Sequence, residues 1–210
     1  MTGIKICGLS TAETVDAAIS AGATHVGFVF FAKSPRDIDA AHAGALGSRV
    51  PRQVKRVGVF VDPDNELLDR AVRAGLDILQ LHGTAAPRRA AIAARYRLPV
   101  WAAAGVASRA DVTAAIHDAT SAELLLFDAK APIDAALPGG NGVRFDWRVL
   151  LGVDPGRAWG LSGGLDAGNV SEAVRSISPA LVDVSSGVED APGVKSAAKI
   201  RAFIEAVRTA

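Results

Sequence analysis

The segment Asp183-Val184-Ser185-Ser186-Gly187-Val188-Glu189 decides the fold. It closes a short apolar run, Ala180-Leu181-Val182-Asp183-Val184, whose β-branched content suits a buried strand, and it turns abruptly at Ser-Ser-Gly. The same pattern stands upstream, where Arg157-Ala158-Trp159-Gly160-Leu161 runs into Ser162-Gly163-Gly164. Small residues at two strand ends let a ligand approach the backbone closely, and clustered N–H groups favour an anion there. Glycine-rich turns between strand and helix also arise for steric reasons alone, so neither turn is decisive singly. Paired near the end of an eight-unit chain, they match the loops after strands seven and eight, where (β/α)8 barrels hold a phosphate. Ser162, Gly163, Gly164, Ser185, Ser186 and Gly187 are the expected grip. No Arg or Lys lies within the two turns, so backbone N–H groups are expected to do the holding.

Working outward, eight strand–helix units can be read. Strands are predicted at Gly3–Cys7, His25–Phe30, Lys55–Val61, Leu76–Leu81, Val100–Ala104, Glu123–Phe127, Arg157–Leu161 and Leu181–Val184. Between them come helices at Thr11–Ala21, Asp39–Ser48, Pro87–Tyr96, Arg109–Ala119 and Ala167–Ile177, with Lys195–Arg208 closing the chain. Thr11 and Ser108 suit N-caps, and Pro63 suits the first turn of a helix running to Ala74. A segment rich in Ala, Pro and Gly leads to Gly142, and a short helix is predicted around Trp147–Leu150. Continuous apolar strands alternating with helices call for a parallel sheet covered on both faces. With 210 residues the units average roughly 26 each, near the small end for a barrel. The competing doubly wound sheet calls for a G-x-G-x-x-G turn after the first strand, and Cys7-Gly8-Leu9-Ser10 stands there instead. One α/β domain, a (β/α)8 barrel with few insertions, is the expectation.

Half the residues are hydrophobic and the formal net charge is +1, which offers no electrostatic case for nucleic acid or an anionic membrane surface. No apolar run approaches the roughly 20 residues of a membrane span, and the N-terminus does not read as a signal peptide. Cys7 is the only cysteine, in keeping with a cytoplasmic protein. His25, His42, His82 and His117 lack the clustering that a metal would need, so no metal is expected, and no nucleotide fingerprint suggests an organic cofactor.

In a barrel, chemistry gathers at the C-terminal ends of the strands. Around that ring lie Cys7-Gly8, Lys33-Ser34-Pro35-Arg36, Asp62, His82-Gly83, Asp128-Ala129-Lys130 and the two turns already described. A lone cysteine on an apolar strand is more often a small core residue than a base. Lys5 shares its strand face, and a buried ammonium there is expected to lower the thiol's pKa. Asp128 either caps its turn or acts as an acid, Arg36 is either a solvated charge or an anion clamp, and His82 is a wall residue or a participant. Asp183 either meets a ligand or holds the Ser185-Ser186 turn by accepting its N–H groups.

Taken in order, Lys5-Ile6-Cys7-Gly8, Lys33-Ser34-Pro35-Arg36, Gln80-Leu81-His82-Gly83, Phe127-Asp128, Gly139-Gly140-Asn141-Gly142, Leu161-Ser162-Gly163-Gly164-Leu165 and Asp183-Val184-Ser185-Ser186-Gly187-Val188-Glu189 resemble phosphoribosylanthranilate isomerase. The resemblance spans essentially the whole chain. It implies a cofactor-free barrel of the tryptophan pathway that carries out an Amadori rearrangement of N-(5-phosphoribosyl)anthranilate to 1-(2-carboxyphenylamino)-1-deoxyribulose 5-phosphate. It implies Cys7 as general base and Asp128 as general acid. Arg36 is then the clamp on the anthranilate carboxylate, with His82 and Asp183 binding or supporting the substrate, and Gly140, Asn141 and Gly142 cover the phosphate. The chain departs from the family pattern at Asn141, where threonine is usual, and at Ser196, where Asp is usual and Ser is expected to cap a helix equally well. A monomer is expected over a homodimer. The related barrel isomerase of histidine biosynthesis is the nearest alternative, but it needs a carboxylate where Cys7 stands. A phosphate-binding module without catalysis is the other.

Overall fold

The apolar strands bury two different faces. Ile4, Ile6, Val26, Phe28 and Phe30 belong to a large cluster that lies under the helices. Their alternating neighbours Cys7, Val29, Val57, Val59, Ile78, Trp101, Leu124, Leu126 and Leu181 form a smaller cluster inside a closed ring. The computed structural model describes residues 2–130 and 145–210. In it β1 (Gly3–Cys7), β2 (His25–Phe30), β3 (Lys55–Val61), β4 (Ile78–His82), β5 (Val100–Val106), β6 (Leu124–Ala129), β7 (Ala158–Leu161) and β8 (Leu181–Val184) close an all-parallel barrel in chain order. The seam is sealed where β1 pairs with β8, placing Lys5 opposite Asp183 and Ile6 opposite Val184.

Around the ring run α1 (Ala12–Ala21), α2 (Ala40–Gly47), α3 (Asn65–Arg73), α4 (Ala86–Tyr96), α5 (Arg109–Asp118), α6 (Val170–Ile177) and α7 (Ala197–Arg208). Their starts follow from short polar side chains. Thr11 accepts from the Thr14 N–H, Asp39 from that of His42 and Asp64 from that of Leu67, while Ser108 and Asp111 form a reciprocal capping box. Helix α7 buries Ile200, Phe203, Ile204 and Val207, the stripe that helical periodicity requires. Each such side chain contributes about 1.5–3 kcal/mol of burial.

Three expectations need correction. Pro63 is not in the first turn of α3 but precedes its cap, because Asp64 has the side chain that can satisfy the first N–H groups. Helix α6 begins at Val170 rather than Ala167. The Asp166 carboxylate accepts from the Gly168 N–H and the Asp166 N–H donates to the Asn169 side-chain oxygen, so these residues are spent on a turn. The closing helix α7 begins at Ala197 rather than Lys195, because Lys195 belongs to a hairpin: β9 (Glu189–Ala191) and β10 (Val194–Lys195) pair antiparallel over Pro192-Gly193. Ser196 then occupies the N-cap position of α7 without a side-chain capping bond. Among the described residues no helix is long and apolar enough to cross a membrane.

Candidate active site

Strand alternation carries Lys5 and Cys7 to the barrel interior, Cys7 at the strand's C-terminal end and Lys5 one step deeper. Gly27 on β2 makes room for both. A Cβ at that position would stand 3.1 Å from Cys7 Sγ and 3.1 Å from Lys5 Cε. Lys5 is fully buried, and its ammonium donates to both Asp183 oxygens at 2.9 Å. Burial is the largest influence and works against the Lys5 charge, but Asp183 and Cys7 together outweigh it and the pKa rises. Asp183 is therefore engaged across the barrel seam, not by the N–H groups of the Ser185-Ser186 turn.

Lys5 does not bring the Cys7 thiol down. Burial pushes the thiol above its usual range and Asp183 adds to that, while Lys5 only opposes them. The expectation from sequence had the sign of the Lys5 effect right and its weight wrong.

Asp128 is the penultimate residue of β6, 5% exposed, and accepts from the Ala129 N–H at 2.8 Å. Burial first and the Asp183 charge second push its pKa up to about 7, against the bonds from Ala129 and the Ser162 hydroxyl. A carboxyl poised there can hold a proton at neutral pH and release it. The charge that helps to raise it belongs to the protein, on Asp183 of β8. His82 ends β4, and its ring nitrogen lies 3.2 Å from the Gln80 amide. Burial, then Lys5, lower its pKa to about 4, so the imidazole is neutral near pH 7.

Arg36 is buried against Gly8. Gly8, with φ +74°, lets its chain pass: a Cβ there would lie 2.7 Å from Arg36 Cδ. Its Nε and Nη2 donate to the two oxygens of Glu189 at 2.7 and 2.8 Å. Glu189 also accepts from Lys195 Nζ at 2.5 Å, and Lys195 reaches the Ser185 carbonyl at 2.9 Å and its hydroxyl at 3.1 Å. The Ser185 hydroxyl donates to the Cys7 carbonyl at 3.3 Å. Sequence reading missed Glu189 and Lys195 as members of the site. Their one signal was a pair of opposite charges flanking Pro192-Gly193, which suits a hairpin.

The turns after β7 and β8 pack against each other. A Cβ on Gly187 would stand 1.9 Å from the Leu165 carbonyl oxygen, and one on Gly163 (φ +87°) would stand 2.4 Å from the Ala129 nitrogen. These glycines are therefore required by neighbouring backbone, not only by space for a ligand. Ser162, Gly164 and Ser186 lie in the same pair of turns. No Arg or Lys lies within the two turns, but Lys195 reaches Ser185 from outside them. Gly140, Asn141 and Gly142 lie outside the described residues. Among the described residues no group of three or more His, Cys, Asp or Glu side chains could hold a metal ion.

A buried thiol and a carboxyl held at about 7 thus stand near strand ends of a (β/α)8 barrel beside buried cations, side chains of the kind that acid–base chemistry on an anion would use. The chain belongs to the N-(5'phosphoribosyl)anthranilate isomerase family, whose sequence profile it matches over residues 4–206. It is 54% identical to the N-(5'-phosphoribosyl)anthranilate isomerase of Azorhizobium caulinodans over 99% of this chain and 92% of that one. With the enzyme of that name from Zymomonas mobilis subsp. pomaceae it shares 48% over 97% of each. The crystal structure of phosphoribosyl anthranilate isomerase from Thermotoga maritima superposes with a TM-score of 0.90 at 36% identity, covering 100% of both chains. A further crystal structure of such an isomerase, in complex with reduced 1-(o-carboxyphenylamino)-1-deoxyribulose 5-phosphate, gives a TM-score of 0.87 at 34% identity, also over 100% of both. The chain is accordingly an isomerase of tryptophan biosynthesis on a (β/α)8 barrel.

Proposed function

We propose that Asp128 is the general acid and Cys7 the general base of an Amadori rearrangement of N-(5-phosphoribosyl)anthranilate. Asp128 gives its proton to the furanose ring oxygen as the C1–O bond breaks, and the nitrogen lone pair forms the C1=N bond of a Schiff base. Cys7, as thiolate, takes the proton from C2; the C2–H electron pair forms C1=C2 while the C1=N π pair returns to nitrogen. The resulting enolamine relaxes to the aminoketose. Arg36 holds the anthranilate carboxylate, because a planar guanidinium suits a carboxylate fork. Ser162, Gly163, Gly164, Ser185, Ser186 and Gly187 hold the phosphate through backbone N–H groups, with Gly140, Asn141 and Gly142 covering it. His82 and Asp183 support the substrate, His82 as a neutral imidazole.

The observation that carries this reading is the Asp128 carboxyl held at about 7, where an acid near neutral pH must be. The test is loss of fluorescence of freshly made phosphoribosylanthranilate. Cys7→Ser should lower kcat by about 10²–10⁴-fold with substrate affinity nearly intact, since the hydroxyl is too weak a base. Near wild-type kcat would eliminate Cys7 as the base.

The chain is read as one cytoplasmic domain acting as a monomer. Among its described residues the exposed large hydrophobic side chains are Leu151 and Val194, too little for an apolar interface. The Thermotoga maritima relative is described as dimeric. Sedimentation should give the single-chain mass of 21.6 kDa, and a doubled mass would refute the monomer.

A further inference from the structure

The hairpin β9–β10 does more than connect β8 to α7. Its Glu189 side chain, 4% exposed, meets Arg36 (6%) and Lys195 (1%), so two buried cations share one buried carboxylate. The turn of the hairpin bears on the loop that carries Arg36, where a Cβ at Gly193 would stand 2.4 Å from the Pro35 carbonyl oxygen. From Lys195 the bonds continue to Ser185 and on to the Cys7 carbonyl. One connected path thus joins the guanidinium, the turn after β8 and the strand end that holds the thiol.

We infer that Glu189 is a positioning residue for the isomerisation, setting the plane in which Arg36 presents its guanidinium to the substrate carboxylate. The inference rests on reading Arg36 as the carboxylate clamp. A guanidinium binds a carboxylate bidentately only in its own plane, and a long side chain on a loop must otherwise lose rotamer freedom to hold that plane. Glu189 takes the Nε–Nη2 edge and fixes it before substrate arrives. Lys195 bonds the same carboxylate from the other side and so holds Glu189 itself in place. Because Lys195 is also bonded at Ser185, the carboxylate clamp is held at a set distance from the turn assigned to the phosphate. Glu189 therefore selects for substrates that carry a carboxylate on the aryl amine.

The test is steady-state kinetics of Glu189→Gln, Arg36→Ala and the double variant. Each is assayed on phosphoribosylanthranilate and on the carboxylate-free analogue made from aniline, with circular dichroism melts as the folding control. Glu189→Gln should raise KM for the natural substrate about tenfold with kcat within about twofold. On the aniline analogue the rise in KM should be several-fold smaller, and in the Arg36→Ala background the variant should add little to KM for the natural substrate. If Glu189→Gln does not fold, Glu189→Asp, which keeps the charge but shortens the reach, is read on the same pair of substrates. Equal losses on both substrates, or effects additive with Arg36→Ala, would overturn the inference in favour of a purely structural hairpin. Arg36→Ala raising KM while Glu189→Gln is silent overturns the inference alone. Arg36→Ala without effect on KM removes the Arg36 reading and the inference with it.

Discussion

Folding draws the Asp128 carboxyl up from an unfolded value of about 3.9 to about 7. Between those values the folded chain keeps a proton that the unfolded chain has released, so stability falls as pH rises through that window. About three units amount to no more than ~4 kcal/mol. Asp128→Asn never ionises, so it should be more stable than wild type near pH 8 by up to that amount and no more stable near pH 3. Thermal melts at both pH values read this directly, and an equal gain at both would rule out titration as its cause. The Cys7 thiol is pushed up as well, chiefly by burial. The productive form, carboxyl protonated and thiol ionised, is then a minority at every pH. The profile of kcat/KM should rise to a plateau above about pH 7 and fall only beyond the thiol's range. The rising limb reports the acid and the falling limb the base, opposite to what their roles suggest. In Asp128→Asn the residual rate should show its rising limb displaced upward to the thiol's own range. An unmoved limb would assign it to another group.

At the scale of elements, the two turns after β7 and β8 are locked by backbone contact. Gly187→Ala puts a methyl group where the Leu165 carbonyl already stands, at 1.9 Å. The turns must separate, at a cost of about 1–3 kcal/mol, and affinity for inorganic phosphate should fall with them. Urea unfolding and phosphate competition should therefore lose ground together; a variant that loses affinity without stability would show the residue facing the ligand only. The strands, the Thr11 and Ser108 caps and both turns were legible in sequence, because each depends on neighbours a few residues apart. The hairpin was not. Its strands, Glu189–Ala191 and Val194–Lys195, are too short to show a period, and Pro192-Gly193 reads equally well as the approach to a helix. Arg36 and Glu189 stand 153 residues apart, so only the closed barrel brings them together. Cys7 illustrates a different limit. Its neighbour Lys5 was plain from strand alternation, but the balance between that ammonium and burial depends on depth, which a sequence does not state.

At the scale of the whole molecule, the first and last strands meet at one seam, and its one buried ion pair joins Lys5 to the Asp183 that stands opposite it. A buried pair need not stabilise relative to apolar side chains, because both charges lose water on folding. Removing one partner is different, since it strands the other charge. Lys5→Met alone should therefore cost about 3–5 kcal/mol, with Asp183 left unpaired in the barrel. Adding Asp183→Leu removes the stranded charge, and the double variant should recover most of that loss and close its barrel normally. It should nonetheless be a poor enzyme. Without the Asp183 charge the Asp128 pKa is held up by burial alone, and without Lys5 the desolvation of the Cys7 thiolate is opposed only by the weaker influence of Lys195. Urea unfolding with parallel assays separates the two properties. A double variant as unstable as Lys5→Met would mean that the seam depends on the ion pair's own bonds at 2.9 Å. A stable double variant with full activity would remove Lys5 and Asp183 from the chemistry altogether. The expected result, a stable barrel with its rate lost, would mean that the pair is kept at the seam for the two groups above it.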